Sequence, residues 1–104
     1  MSKEGVIILF YDVLMKTKTN IKNYVSFHKK ILGNGFIMMQ ESVYFRYFRN
    51  TNLAKYTIER VLQNAPKESN IKIIKLTIKQ FERMNAYSTK KQDLSLYRNN
   101  TIVL

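Results

Sequence analysis

From Gly5 through Tyr11 the chain carries no charged residue, and the run then stops at Asp12. A short continuous apolar run of this kind reads as a strand buried on both faces, here over 6–11. A loop over 13–19 follows, with Thr19 or Asn20 placed to cap a helix. Ile21, Tyr24, Val25, His28, Ile31 and Leu32 recur at helical spacing as one apolar stripe. Gly33 suits the left-handed position just past a helix end. A second strand is expected over 36–40, with Glu41 as turn or bulge, and a third, rich in aromatic and β-branched residues, over 42–48. Asn50, Thr51 or Asn52 opens a second helix whose stripe is Leu53, Ala54, Thr57, Ile58, Val61 and Leu62. That helix should stop near Asn64, ahead of Ala65-Pro66. A fourth strand is expected over 71–76. Thr77 and Gln80 then have the spacing of a capping box, opening a short helical turn through Phe81 and Met84. A polar, basic linker over 88–93 leads to strand-like composition over 94–97 and 101–104.

The order βαββαβ is the split-βαβ, ferredoxin-like pattern, of class α+β. It occupies 1–87 as one domain. The segment 88–104 is an appended linker and β-segment, with its own sheet edge, a partner protomer or another protein as docking places. Two helices cover one face of a four-stranded antiparallel sheet. On the first strand Val6, Ile8 and Phe10 point one way and Ile7, Leu9 and Tyr11 the other. On the third, Val43, Phe45 and Tyr47 oppose Tyr44 and Phe48, so both faces are apolar while the chain has helices for only one. An apolar face left bare signals an interface, and a two-fold packing of sheet on sheet covers it most simply. A homodimer is therefore expected.

Charge changes the picture more than size does. Eighteen Lys and Arg against seven Asp and Glu give 104 residues a net charge of +11. A domain so basic generally meets a polyanion, with nucleic acid the first candidate and a purely packing role on RNA the chemistry-free alternative. No cysteine is present, which excludes disulfide frameworks and thiolate zinc sites. No apolar run approaches the roughly 20 residues that span a bilayer, and the first residues lead straight into a strand with no room for a signal peptide. The expectation is a soluble, cytoplasmic protein with no membrane partner.

Of the seven carboxylates, Asp12 alone sits at a strand end in apolar surroundings. Buried without a partner, a carboxylate is costly. One reading makes it a turn-former that accepts backbone N–H groups. The other follows from the two-fold axis: two copies of Asp12, brought together, share one Mg²⁺ with waters completing its octahedron. His28 is the only histidine and lies on the first helix's stripe, where a packed residue with a satisfied ring nitrogen is expected. The run Tyr44-Phe45-Arg46-Tyr47-Phe48 invites base stacking, but filling the core is the preferred reading. Neither GxxxxGK[ST] nor GxGxxG occurs, so no nucleotide cofactor is supported.

These residues also resemble a known family. A strand ending in Phe10-Tyr11-Asp12-Val13, a lysine-rich helix closed by Gly33, and then Asn34-Gly35-Phe36-Ile37-Met38-Met39-Gln40-Glu41-Ser42-Val43-Tyr44 are similar to the CRISPR-associated protein Cas-two. Gln-x-Ser-Val followed by an aromatic is the most specific element. With Lys79-Gln80-Phe81-x-Arg83-Met84, the form is closest to members from type II systems, and the likeness covers about 5–87. The resemblance implies a ferredoxin-like homodimer in which Asp12 binds Mg²⁺ and acts in catalysis, one carboxylate from each protomer. It implies a Mg²⁺-dependent endonuclease on RNA or DNA, with activity varying among members. Its shared role is spacer acquisition, in which the dimer bridges dimers of the integrase (Cas-one) in a heterohexamer and holds the double-stranded protospacer DNA. Lys16, Lys18, Lys90 and Lys91 match the family's backbone-contacting positions, and Arg46 and Arg49 are further candidates. Many members carry an arginine pair after the strand-end aspartate. The lysines here keep the charge without the bidentate fork. A noncatalytic RNA-binding protein of this fold and a toxin-type ribonuclease such as the virulence-associated protein D family remain the alternatives.

Overall fold

A computed structural model describes residues 3–13 and 15–87. The linker and terminal β-segment expected over 88–104, with Lys90 and Lys91, lie outside the described residues. The elements are β1 (Gly5–Val13), α1 (Lys18–Gly33), β2 (Ile37–Gln40), β3 (Val43–Phe48), α2 (Thr51–Leu62), β4 (Ser69–Leu76) and α3 (Ile78–Glu82). The four strands form one antiparallel sheet in the order β2-β3-β1-β4. This is the ferredoxin-like α+β arrangement, with β1 at its centre.

Alternation along β1 builds two cores. Ile7, Leu9 and Tyr11 face α1 and α2, where they meet Phe27, Ile31, Ala54 and Val61, with Tyr44 and Phe48 from β3. Val6 and Ile8 face the other way and join Phe45 and Phe81. Here an expectation is corrected. The second face is not left bare, because α3 folds back across it. Phe81 stacks on Phe45 with ring centroids 5.4 Å apart, and Ile78 and Met84 pack beside it. Burying Phe81 contributes about 2 kcal/mol, enough to hold a five-residue helix that has no stability of its own. The cover is partial. Phe10, two residues before Asp12, remains 43% exposed, and Ile74, opposite Ile8 in the middle of the sheet, 48%.

Helix boundaries follow local side-chain chemistry. Thr17, not Thr19 or Asn20, caps α1: its Oγ1 accepts from the Asn20 N–H at 3.0 Å, and Asn20 Oδ1 accepts from the Thr17 N–H at 3.1 Å. Asparagine here does what glutamine does at Thr77, where Gln80 completes the expected box at the start of α3. Asn50 caps α2 by accepting from the Leu53 N–H at 2.9 Å. At the end of α1 the left-handed residue is Gly35, with φ 87°, rather than Gly33, which is the last helical residue. A Cβ at Gly35 would lie 2.7 Å from Arg46 Nε, so the position is closed to larger residues twice over.

The inward face of α1 also differs from the expected stripe. Phe27 and Ile31 are its buried residues, with Tyr24 half-buried, while Ile21, Val25 and Leu32 are over two-fifths exposed. In α2, Ala54, Thr57 and Val61 are buried and Leu53 and Leu62 are not. The helices seat on the narrow side of their apolar arcs. No helix among the described residues is long and apolar enough to cross a membrane.

Candidate functional site

β1 does not end at Tyr11. It continues through Asp12, which pairs with Asn70, to Val13, which pairs with Ser69. Asp12 is thus a strand residue, on the same face as Phe10 and exposed to solvent. Among the described residues its carboxylate has no hydrogen-bond or ion-pair partner, so it is not the turn-former of the alternative reading. It lines a hollow of about 280 Å³ at this end of the sheet, together with Phe10, Tyr11, Ser42, Val43, Asn70 and Lys72.

The walls of the hollow are firmly built. The Tyr11 N–H donates to the Ser42 carbonyl at 2.9 Å, which ties the β2–β3 turn to β1 beside the carboxylate. Ser42 holds φ 63°, a left-handed conformation that costs a non-glycine residue about 1 kcal/mol. Behind Asp12 the Tyr11 ring stacks on Tyr24 at 5.5 Å and meets Phe27 edge-on at 4.8 Å. The Tyr11 hydroxyl is buried and has no partner among the described residues. Burial pushes Tyr11 up to about 12, with Tyr24 adding to the shift. Burial does the same to Tyr44, again to about 12. Both phenols therefore stay protonated at any physiological pH and supply no base.

His28 is a packed residue, its Nδ1 2.7 Å from the Tyr44 hydroxyl oxygen. The aromatic run in β3 fills the interior. Tyr44, Phe45 and Phe48 are buried, and the half-buried Tyr47 donates its hydroxyl to Glu4. No base-stacking platform arises there.

The basic candidates separate by place. Lys16 and Lys18 are exposed on either side of the α1 cap, next to the Asp12 end of β1. Arg46 and Arg49 belong to the opposite end, where Phe48 pairs with Gly5. Arg46 is half-buried, and two of its donors serve the fold. Nε donates to the Asn34 carbonyl at 2.7 Å and Nη1 to the Tyr47 carbonyl at 3.0 Å. Lys72 escaped the sequence reading. Only the β1–β4 register, which sets Lys72 opposite Phe10, brings it to the carboxylate.

Whether these residues suit Mg²⁺ depends on donor chemistry. Asp12 offers a free carboxylate, and Asn70 and Ser42 offer neutral oxygens in the same hollow. Hard oxygen donors fit Mg²⁺, which commonly takes one or two carboxylates and keeps its remaining waters. No group of three His, Cys, Asp or Glu is assembled among the described residues, although the turn holding Glu41 and the residue before β4, Glu68, are at this end. The donor set fits one half of a shared site.

Known proteins give the comparison. The family model described as CRISPR associated protein Cas2 matches residues 6–84. A protein named "CRISPR-associated endoribonuclease Cas2" from Streptococcus mutans serotype c (strain NN2025) is 36% identical over 94 residues, 90% of this chain and 87% of its own length. Proteins of the same name from Acidovorax ebreus (strain TPSY) and Ligilactobacillus salivarius (strain UCC118) are 32% and 30% identical. They cover 74% and 94% of this chain, and 76% and 98% of their own lengths. The family match runs from the first core residue of β1 to Met84 beside α3, which is the whole of the fold that positions Asp12, and on that ground the chain belongs to the CRISPR-associated Cas2 family.

Proposed function

We propose that this chain works as a homodimer at the centre of a CRISPR spacer-acquisition complex. There it bridges dimers of the integrase subunit and holds the protospacer duplex by its phosphates. We further propose a Mg²⁺-dependent endonuclease activity on RNA or DNA at Asp12, in keeping with the endoribonuclease names of its relatives. The observation that carries this reading is the exposed carboxylate at the end of the central strand, which has no partner among the described residues. A folding role would have given it a partner, and a complete hydrolytic site would have given it companions.

Each group has work in this scheme. Asp12 of each protomer would hold the ion. A bound Mg²⁺ supplies charge neutralisation at a phosphate and a more acidic water. Lys16 and Lys18 place two cations at the N-terminal end of α1, whose first turn holds no acidic residue. Cations oppose the helix dipole there, so they add nothing to the helix, whereas an anion is welcomed by both. Phosphate contacts of this kind position a duplex without reading bases. Phe10, next to Asp12 on that face, and Ile74, opposite Ile8, remain exposed on the second face and would be available to a two-fold partner.

The test uses the full chain and the integrase subunit on a fork-ended duplex. Asp12→Ala should abolish Mg²⁺-dependent cleavage by the isolated dimer, a loss of at least a hundredfold, while integration by the assembled complex persists. Cleavage that survives the substitution removes Asp12 from the chemistry. Failure to form the complex with the wild-type chain removes the scaffold role.

A further inference from the structure

Lys72 and Asp12 form an unusual pair because they are not paired. Asp12 faces Asn70 across the β1–β4 ladder, and Lys72 lies two residues along β4 on the same face. Such diagonal neighbours have centres about 7–8 Å apart, within reach of a lysine side chain. Opposite charges at this spacing on one face commonly close into an ion pair. Here the ammonium turns aside, and Nζ lies 3.4 Å from Asn70 Oδ1, a long contact to a neutral acceptor. Cation and carboxylate both line the same 280 Å³ hollow. That space is on the order of nine water molecules by liquid volume, enough for a phosphate group with part of its hydration.

A carboxylate alone repels a phosphodiester. A cation in the same hollow offsets that repulsion, and among the described residues Lys72 is the cationic residue lining it. We propose that Lys72 is the phosphate-binding residue of the Asp12 site, its ammonium leaving Asn70 to hold a non-bridging oxygen of the nucleic-acid backbone. This rests on the reading of Asp12 as part of a nucleic-acid site. It adds a ligand chemistry, a single phosphodiester gripped by a point charge, and a residue outside the basic positions inferred by resemblance. The competing explanation is that a lysine on an edge strand only discourages sheet-to-sheet aggregation. Lys75 separates the two. It is on the same edge strand, is exposed and carries the same charge, but it pairs with Ile7 and points to the other face.

The experiment measures binding of a single-stranded RNA oligonucleotide by the full chain over a salt series, in metal-free buffer so that nothing is cleaved. Lys72→Ala should reduce the slope of log Kd against log salt by about 0.7, the value for one phosphate contact on a single strand. Lys72→Arg should restore the slope, and Lys75→Ala should leave it unchanged. Asp12→Ala should tighten binding without metal, because a repulsive charge is gone. Equal behaviour of Lys72→Ala and Lys75→Ala overturns the role of Lys72. An Asp12→Ala variant that changes neither binding nor Mg²⁺-dependent cleavage overturns instead the site reading on which it rests.

Discussion

The two ends of the central strand make opposite use of their polar groups. At the Gly5 end the polar side chains packed against the fold are engaged. Arg46 closes the end of α1 through the Asn34 carbonyl, Tyr47 reaches Glu4, and Gly35 makes room for the guanidinium. At the Asp12 end the same kinds of group are left waiting. Asp12 has no partner among the described residues, the Tyr11 hydroxyl is orphaned, and Lys72 has only a long contact. The two non-glycine residues with positive φ among the described residues, Ser42 and Glu68, both lie at this end. Unpaired groups and backbone strain lower stability, and such features commonly mark functional sites. One end of β1 is closed by contacts within the fold, and the other leaves Asp12 and Lys72 exposed.

The contrast is open to direct attack. Its largest expected effect is on Arg46→Ala, which should lower unfolding stability by about 3 kcal/mol, the loss of two charge-assisted bonds to backbone carbonyls. Asp12→Ala in the same denaturant series should stay within about 0.5 kcal/mol of wild type. Equal losses at the two sites would erase the distinction between the ends. Alkaline titration probes the wall between them. Tyr11 and Tyr44 have folded pKa values raised to about 12 from 10, so above pH 10 the unfolded chain releases protons that the folded chain keeps. Stability should be flat below pH 10 and fall from pH 10 to 12, and Tyr44→Phe should make that fall shallower. A flat profile over that window would mean that the phenols ionise as readily in the folded protein as in the unfolded chain.

Smaller effects sharpen the picture. Lys16→Ala with Lys18→Ala should reduce the salt slope of duplex binding by at most about 1.8, two contacts at 0.9 each, whereas Arg49→Ala at the other end should leave it nearly unchanged. The reverse result would move the duplex to the Gly5 end. Smallest of all is Tyr11→Phe. Removing a buried hydroxyl that has no partner should be neutral or stabilise by roughly 1 kcal/mol. A loss of stability would mean that an ordered water satisfies the hydroxyl.

How much of this could be read from the sequence depends on the range of the interaction involved. The capping box at Thr77 and Gln80, the Asn50 cap and the βαββαβ order are local signals, and the structure keeps them. The α1 cap was misplaced because asparagine at the third helical position was not recognised as a box partner for Thr17. The α1 stripe was legible as an arc but not in its centre. Phe27 sits at the middle of the buried face, and Ile21, Val25 and Leu32 on its margin, a rotation set by how the helix meets the twisted sheet. The place of α3 could not be read, since a five-residue helix has no period to reveal which face it serves. Asp12 stood out in the sequence because a charge interrupted an apolar run. Lys72 did not, because a lysine in an edge strand is ordinary until the register sets it opposite Phe10.

The topology has one more consequence, for the order of events during synthesis. β1 is made before both strands it pairs with. Its ladder to β3 waits for Val43 to Phe48, and its ladder to β4 for Ser69 to Leu76, more than fifty residues later. Until then Val6, Ile7, Ile8, Leu9 and Phe10 form a β-prone apolar segment without neighbours, of the sort that seeds aggregation. The strand that organises the finished sheet is therefore also the nascent chain's main liability. The yield of folded protein should depend on how quickly β3 and β4 follow it off the ribosome.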